Sequence, residues 1–345
     1  MVECISLFSG AGGLDVGAEN AGVKIVACVE NDSDSVSTLK ANSKNKKKQI
    51  IFDDIANVSF RDLKPAKSDF IIIGGPPCQP FSKNGYWVKN ENRLIQQDPR
   101  NLLSQFLRAV QETKPNGFLF ENVESMLHPT NKSEVERFLV TADKFGYKCT
   151  LYKANAADFG VPQRRKRIFI FGIRKSGTAV PNPKTLYMAA KSKDSEFDLP
   201  LHLGVGKFIE KFNTKEFFEK SEIADNGNYF YELKHVPAGS NYMALSKLKN
   251  YKGRTFKSGS RFWNFLQKLH PDEPSITIAA QPGPWVGPFH WDSRRLRVPE
   301  IAAIQTFPED YVFVGNRRSV QKQIGNAVPC LLGQRMVEHL LEHLE

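Results

Sequence analysis

The stretch Cys4-Ile5-Ser6-Leu7-Phe8-Ser9-Gly10-Ala11-Gly12-Gly13-Leu14-Asp15 opens on an apolar run and breaks into glycines just before an amphipathic segment. A strand that runs through a glycine loop into a helix is how a doubly wound α/β sheet begins, and such a loop lets backbone approach a ligand closely. The alternation continues outward: residues 4–8, 25–29, 49–52, 70–73, 118–120, 147–152 and 168–171 read as strands, with helices between most of them. Asp98 before Pro99 reads as a helix N-cap, and Gly22 and Gly146 read as helix stops. The pattern predicts an α/β fold with a mostly parallel sheet, in which ligands bind beyond the carboxyl ends of the strands.

The 345 residues carry 48 Lys+Arg against 37 Asp+Glu, a net charge of +11, with 41% hydrophobic and 25% charged residues. This is globular composition, long enough for about two domains, and it excludes disorder and collagen-like structure. No apolar run nears the roughly 20 residues that span a bilayer, and the N-terminus has no basic-then-apolar leader, so a cytoplasmic protein is expected. The five cysteines are scattered without CxxC spacing, which suggests neither disulfides nor a metal site. No fixed-period repeat is found, and the cluster Lys44 to Lys48 reads as a solvated loop. After about residue 178 the α/β pattern gives way to Lys, Ser, Asn, Gly and Pro with short apolar pieces, and a helical pattern returns at 299–306 and near the C-terminus. The expected division is 1–178 plus 319–345 for the first domain and 179–318 for a smaller, irregular one.

The segments that follow the strands are Ser9-Gly10-Ala11-Gly12-Gly13, Glu30, Asp54-Ile55, Pro76-Pro77-Cys78 and Glu121-Asn122, and they should share one crevice. Glu30 follows Gly10 by 20 residues, the distance at which an acid meets ribose hydroxyls in nucleotide-binding units, so an adenosine-type cofactor is implied. The loop taken alone could equally be a tight turn, since Asp15 stands where the dinucleotide fingerprint wants a third small residue. Cys78, stiffened by two preceding prolines, is placed like a nucleophile, although cysteine is also a common buried hydrophobe. Glu121, at the end of an apolar strand, could carry a raised pKa and share a proton, or could be an ordinary acid at a helix start.

These residues closely resemble the DNA cytosine-C5 methyltransferases that use S-adenosylmethionine, of the bacterial restriction-modification type. The resemblance covers nearly the whole chain. It is carried by Ser6 to Gly13, Gly75-Pro76-Pro77-Cys78-Gln79-Pro80-Phe81-Ser82, Glu121-Asn122-Val123, Gln163-Arg164-Arg165-Lys166-Arg167, Arg295 to Glu300 with Gln305-Thr306-Phe307-Pro308, and Gln323-Ile324-Gly325-Asn326-Ala327-Val328-Pro329, in the family's order. It implies a Rossmann-like catalytic domain. Cys78 would be the thiolate that adds to cytosine C6, Glu121 the partner of N3, and Arg167 the partner of O2. Arg165 would contact the base or a nearby phosphate, and Asn122 would position the cysteine loop. For S-adenosylmethionine, the resemblance assigns Phe8, Ser9, Gly10, Gly12 and Gly13 to the methionine part, Glu30 to the ribose, Asn31, Asp54 and Ile55 to the adenine, and Pro76 and Asn326 to the same pocket. Three departures stand out: Ser6 where Asp is usual, Asn31 where a bulkier side chain is common, and Asp53 in place of a glycine.

Between Glu232 and Asp272 there is no acidic residue, while Lys234, Lys247, Lys249, Lys252, Arg254, Lys257, Arg261 and Lys268 are interleaved with Tyr242, Tyr251, Phe256, Phe262, Trp263 and Phe265. Such a stretch suits a phosphate backbone. In the family this is the target-recognition region, so double-stranded DNA is the expected partner, with Lys234, Lys252, Arg254, Lys257 and Arg261, together with Ser82 of the cysteine loop, as contacts and the target cytosine flipped out of the stack. The Pro282 to Pro288 segment could be a joining turn or a border of the DNA cleft. The expected function is methylation of C5 in a specific duplex sequence by a monomer associated with the nucleoid, either solitary or protecting DNA from a separate cognate endonuclease. The same chemistry on transfer RNA, a DNA-binding protein without catalysis, and a nicotinamide dehydrogenase are the alternatives.

Overall fold

Strands covered on both faces need continuous apolar runs, and Glu3–Leu7 and Phe70–Gly74 are buried along their whole length. The computed structural model describes residues 1–43, 48–65, 69–77, 102–174, 179–189, 199–225, 227–256 and 262–344. The chain forms two compact units, Met1–Asn155 with Lys166–Lys184 and Cys330–Glu345, and Ala156–Arg165 with Thr185–Pro329.

The first unit runs β1 (Glu3–Leu7), α1 (Gly13–Asn20), β2 (Lys24–Glu30), α2 (Ser33–Ala41), β3 (Gln49–Phe52), α3 (Phe60–Leu63), β4 (Phe70–Gly74), α4 (Leu102–Thr113), β5 (Gly117–Val123), α5 (Lys132–Lys144) and β6 (Tyr147–Asn155). The second unit then supplies β7 (Gln163–Arg164), the first resumes with β8 (Lys166–Arg174), and α6 (Gly206–Ile209), α7 (Phe230–His235), β9 (Ser275–Ile276), α8 (Val298–Ile304) and α9 (Arg317–Asn326) belong to the second. The final helix, α10 (Cys330–Leu341), is again part of the first unit.

Among the described residues the large sheet has the order β3-β2-β1-β4-β5-β8-β6. All neighbours from β3 to β5 pair in parallel, and only β8 runs against its neighbours. This is the predicted doubly wound sheet, and the strands read from sequence are β1 to β6 and β8. β5 and β6 extend beyond the predicted apolar runs because β8 pairs with them as far as Val123 and Asn155. Glu121 therefore sits inside a strand rather than just after one. Gly22 and Gly146 follow the ends of α1 and α5, as predicted. The Asp98 cap and most of the Lys44 to Lys48 cluster lie outside the described residues.

The hydrophobic core holds Phe118 and Phe120 of β5 against Phe106 of α4 and Phe138 of α5, with Phe106–Phe120 edge to face at 5.2 Å. Such aromatic pairs add about 0.5–1.5 kcal/mol beyond their buried area, and they set the height of β5 against its helices. α10 lies against α1 at glycines on both sides. A Cβ on Gly17 would stand 2.5 Å from the Cys330 carbonyl, and one on Gly333 3.1 Å from Leu14 Cδ1.

The second unit differs from the expected boundaries at both ends. Residues 156–165 belong to it because β7 pairs in parallel with β9 and the Ala156 amide donates to the Arg165 carbonyl. Residues 319–329 belong to it because α9 is seated on Ala279 and Ala280, so closely that a Cβ on Gly325 would come within 2.5 Å of Ala280. Its other core gathers Leu233, Val236, Tyr242, Leu245, Leu266 and Phe289. Of the described residues, no helix is long and apolar enough to cross a membrane.

Gly17→Val should lower the unfolding free energy by about 1–3 kcal/mol, the usual cost of overpacking a closed contact, as measured by urea unfolding. An unchanged midpoint would mean that the α1–α10 contact can open without loss.

Candidate active site

The chain reaches β2 and β3 on one side of β1, then β4 and β5 on the other, so the strand order reverses between β1 and β4. Loops leaving such a reversal diverge and open a crevice. The loop after β1 adopts left-handed backbone at Phe8 (φ 54), Gly10 (φ 53) and Gly12 (φ 80). Glycine carries this conformation without cost, whereas Phe8 holds it as local strain of the sort concentrated at ligand sites. Nothing lies within 4 Å of the Cβ position of Gly10, and Gly13 begins α1, so the loop offers open space beside a helix N-terminus.

Glu30, at the end of β2, accepts the Gly10 amide at 2.7 Å on Oε2 and the Asn31 and Asp32 amides at 2.9 Å on Oε1. A carboxylate has about four lone-pair sites, which leaves Oε2 able to take one further donor such as a ribose hydroxyl. Burial pushes its carboxyl above the usual value, against the pull of those three amides. Asp54 is exposed and caps a short turn by accepting the Ala56 amide. Asn31 is exposed. Ile55 departs from expectation: its side chain belongs to the hydrophobic core and its carbonyl accepts from Arg108 at 2.8 Å, so it offers no side-chain surface to a ligand. Loop and acid together fit the adenosine and methionine parts of S-adenosylmethionine.

At the neighbouring strand ends, Glu121 of β5 meets Arg167 of β8 with Oε1 to Nε at 2.9 Å. The register pairs Val123 with Arg167 and Glu121 with Phe169, so the two side chains are diagonal neighbours on one face. Glu121 is only 8% exposed. The loop after β4 is fastened to the same place, with the buried Asn122 amide donating to the Pro76 carbonyl at 3.2 Å. A Cβ on Gly75 would stand 2.5 Å from Glu121 Oε2, so glycine is required there for the carboxylate and the loop to approach. Cys78 and Ser82 lie outside the described residues.

Arg165 is not a base contact. It is 1% exposed, and its guanidinium donates to the carbonyls of Ile278 (3.3 Å), Gly325 (2.8 Å) and Ala327 (3.0 Å) within the second unit. Gln305 donates to the Ile324 carbonyl at 2.6 Å and accepts from Gln163 at 2.8 Å, completing a clamp on the backbone around the exposed Asn326. Sequence reading quoted Gln163 and Gln305 within motifs but assigned them no role. Their polarity at zero exposure is the signal, and it is visible only in space.

Of the basic stretch, Lys234 and Lys252 are exposed, as are Phe262 and Trp263. Arg254 is committed elsewhere: its Nε lies 2.8 Å from Glu232 Oε1 and its guanidinium covers the Tyr229 ring at 4.7 Å. Its charge is thus shared with a buried carboxylate, while 57% of its side chain stays exposed. Lys268 is buried, and burial holds its ammonium down to about 8 despite Asp292. Lys257 and Arg261 lie outside the described residues.

A doubly wound sheet with this glycine loop and an acid at the end of its second strand fits the class of S-adenosylmethionine-dependent α/β methyltransferases. The chain belongs to the family of C-5 cytosine-specific DNA methylases, whose model matches residues 2–342. It is 36% identical to the type II methyltransferase M.SacI of Streptomyces achromogenes over 99% of this chain and 93% of that one, and 33% identical to M.NgoPII of Neisseria gonorrhoeae over 100% and 96%. Its fold is shared with the S. pombe Dnmt2 methyltransferase, at a TM-score of 0.62, 16% identity and 100% coverage of both chains. The protein is an enzyme that transfers a methyl group from S-adenosylmethionine to C5 of cytosine in DNA, and the transfer-RNA alternative is not favoured.

Gly75→Ala should lower kcat by about 100-fold through displacement of Glu121, since misplacement by 1 Å can cost that much, with thermal stability changed little; single-turnover rates check it. A second expectation concerns pH. Burial opposes ionisation of Glu232, but its hydrogen bond to Arg254 outweighs this and holds the carboxyl below its ordinary value. The stabilisation is then complete above the unfolded carboxyl pKa of about 4.3 and lost as pH falls through the lower folded value. Arg254→Ala should therefore destabilise the fold at pH 7 and much less at pH 3, by thermal melts at both.

Proposed function

We propose that Cys78 is the nucleophile and that Glu121 and Arg167 form the group that receives the cytosine. The observation that carries this reading is the Glu121–Arg167 ion pair, placed where the Gly75-Pro76-Pro77 loop leads into Cys78. C5 of cytosine is too electron-poor to attack a methyl sulfonium directly. The Cys78 thiolate forms a bond to C6, Glu121 gives a proton to N3 as negative charge develops there, and electron density moves to C5. Arg167 binds O2 and steadies the Glu121 carboxylate once its proton is gone. S-adenosylmethionine supplies the electrophilic methyl group. Water takes the C5 proton, the C5–H electrons re-form the C5–C6 double bond as Cys78 leaves as a thiolate, and the N3 proton returns to Glu121, which regenerates the enzyme. Phe8, Ser9, Gly10, Gly12, Gly13, Glu30 and Pro76 are the proposed cofactor contacts. Arg165 acts at a distance, as the clamp around Asn326.

The second unit is proposed as the target-recognition domain, with Lys234 and Lys252 on phosphates and the target base flipped out of the duplex. The proposed role is protection of DNA from a separate endonuclease, in keeping with the type II methyltransferase names of its relatives, and the enzyme is proposed to act as a monomer in the cytoplasm beside the nucleoid.

Transfer of labelled methyl from S-adenosylmethionine to mixed-sequence duplex DNA, with transfer RNA in parallel, tests the reading. Cys78→Ala should abolish label in DNA while leaving DNA affinity within about threefold of wild type; retained turnover would remove Cys78 from the mechanism. Lys234→Ala with Lys252→Ala should flatten the slope of log affinity against log salt by about 1 per lost phosphate contact, and an unchanged slope would move the DNA surface elsewhere.

A further inference from the structure

Two oddities of the glycine-loop sequence meet in the structure. Ser6 stands on β1 where the family usually has Asp, and Asp15 puts an acid on α1 where the dinucleotide-binding fingerprint wants a small residue. The Asp15 carboxylate is 2% exposed and accepts the Ser6 hydroxyl on Oδ1 and the Cys28 thiol on Oδ2 at 3.1 Å. The charge has moved from strand to helix and still lies under the same loop.

The proton direction along this chain is determined. Ser6 Oγ donates to Asp15 Oδ1, since a carboxylate oxygen accepts. The Cys28 thiol is pushed well above its ordinary value by burial and by the Asp15 charge, so it also remains a donor. Lys48 balances the buried charge: burial works against its ammonium, but Asp15 outweighs that and holds it charged. With its own proton given away, the Ser6 oxygen can only accept, and Ser9 Oγ lies 2.9 Å from it and 3.3 Å from the Ser6 carbonyl. These two inward acceptors share the single Ser9 proton. Ser9 is partly exposed, and it is left with lone pairs alone for any outside partner.

We infer that Asp15 is a positioning residue for the cofactor, which acts through Ser6 to fix the Ser9 hydroxyl as an acceptor and so selects the ammonium of the methionine part. The inference rests on the S-adenosylmethionine assignment. It concerns polarity rather than shape: a hydroxyl free to rotate would serve an ammonium or a carboxylate alike, whereas this one serves only a donor. An amide at position 15 can turn its NH2 towards Ser6, which releases the direction of the whole chain.

Calorimetric titration with S-adenosylhomocysteine and with 5′-methylthioadenosine, which lacks the amino-acid end, tests this on wild type, Ser9→Ala, Asp15→Asn and the double variant. Ser9→Ala should weaken S-adenosylhomocysteine binding by about tenfold, as for a lost hydrogen bond to a charged group, and leave methylthioadenosine unchanged. Asp15→Asn should show a smaller loss with the same ligand selectivity, and the double variant should bind no more weakly than Ser9→Ala. Additive losses, or equal losses for both ligands, would overturn the inference, because Asp15 would then be only a structural support. If Asp15→Asn does not fold, Ser6→Ala interrupts the same chain and is judged by the same criteria. A wild-type protein that bound neither ligand would contradict the cofactor assignment instead.

Discussion

The parallel pairing of β1 with both β2 and β4 governs the first unit. The chain leaves β1 for β2 on one side and later continues from β4 to β5 on the other, so the loops after β1 and β4 lead in opposite directions and diverge. The glycine loop, Glu30 and the Gly75 loop all issue from this divide. The sheet itself presents amides, an acid and an open helix terminus at one edge. What remains is to keep each loop at its height. The glycine contact between α1 and α10 does this for the first loop, and Asn122 with the close approach at Gly75 does it for the loop after β4.

The sheet was legible in the sequence because a buried parallel strand leaves an unmistakable mark, a short apolar run bounded by loop residues. Ile71, Ile72 and Ile73 could hardly be anything else. The candidate acid and the glycine loop were legible for the related reason that position after a strand is topological information. Pairings across space were not. Arg165 and Arg167 are two residues apart and identical in type, yet one is sealed under three carbonyls and the other faces Glu121. Only the register of β8 and the seating of α9 separate them.

The basic stretch shows the same limit. Counted along the chain it has no acid between Glu232 and Asp272, but Glu232 at its border reaches Arg254, and Lys268 is folded inward. Linear charge runs overstate what a surface can offer a phosphate backbone, since a buried carboxylate engages whichever cation the fold brings to it, as Glu232 does with Arg254 while the nearer Lys234 stays exposed. Ile55 is the apolar counterpart, a residue beside the ligand edge whose side chain the core claims first.

The clamp formed by Gln163, Arg165 and Gln305 on the backbone around Asn326 joins segments far apart in sequence. Any exchange of recognition segments between relatives, whether in evolution or in a chimaera, must respect it. A graft confined to residues between Thr185 and Glu273 leaves all of its members native to one parent. A graft that begins before Gln163 or ends beyond Gln305 mixes parents within the clamp, and would disturb the backbone on either side of Asn326.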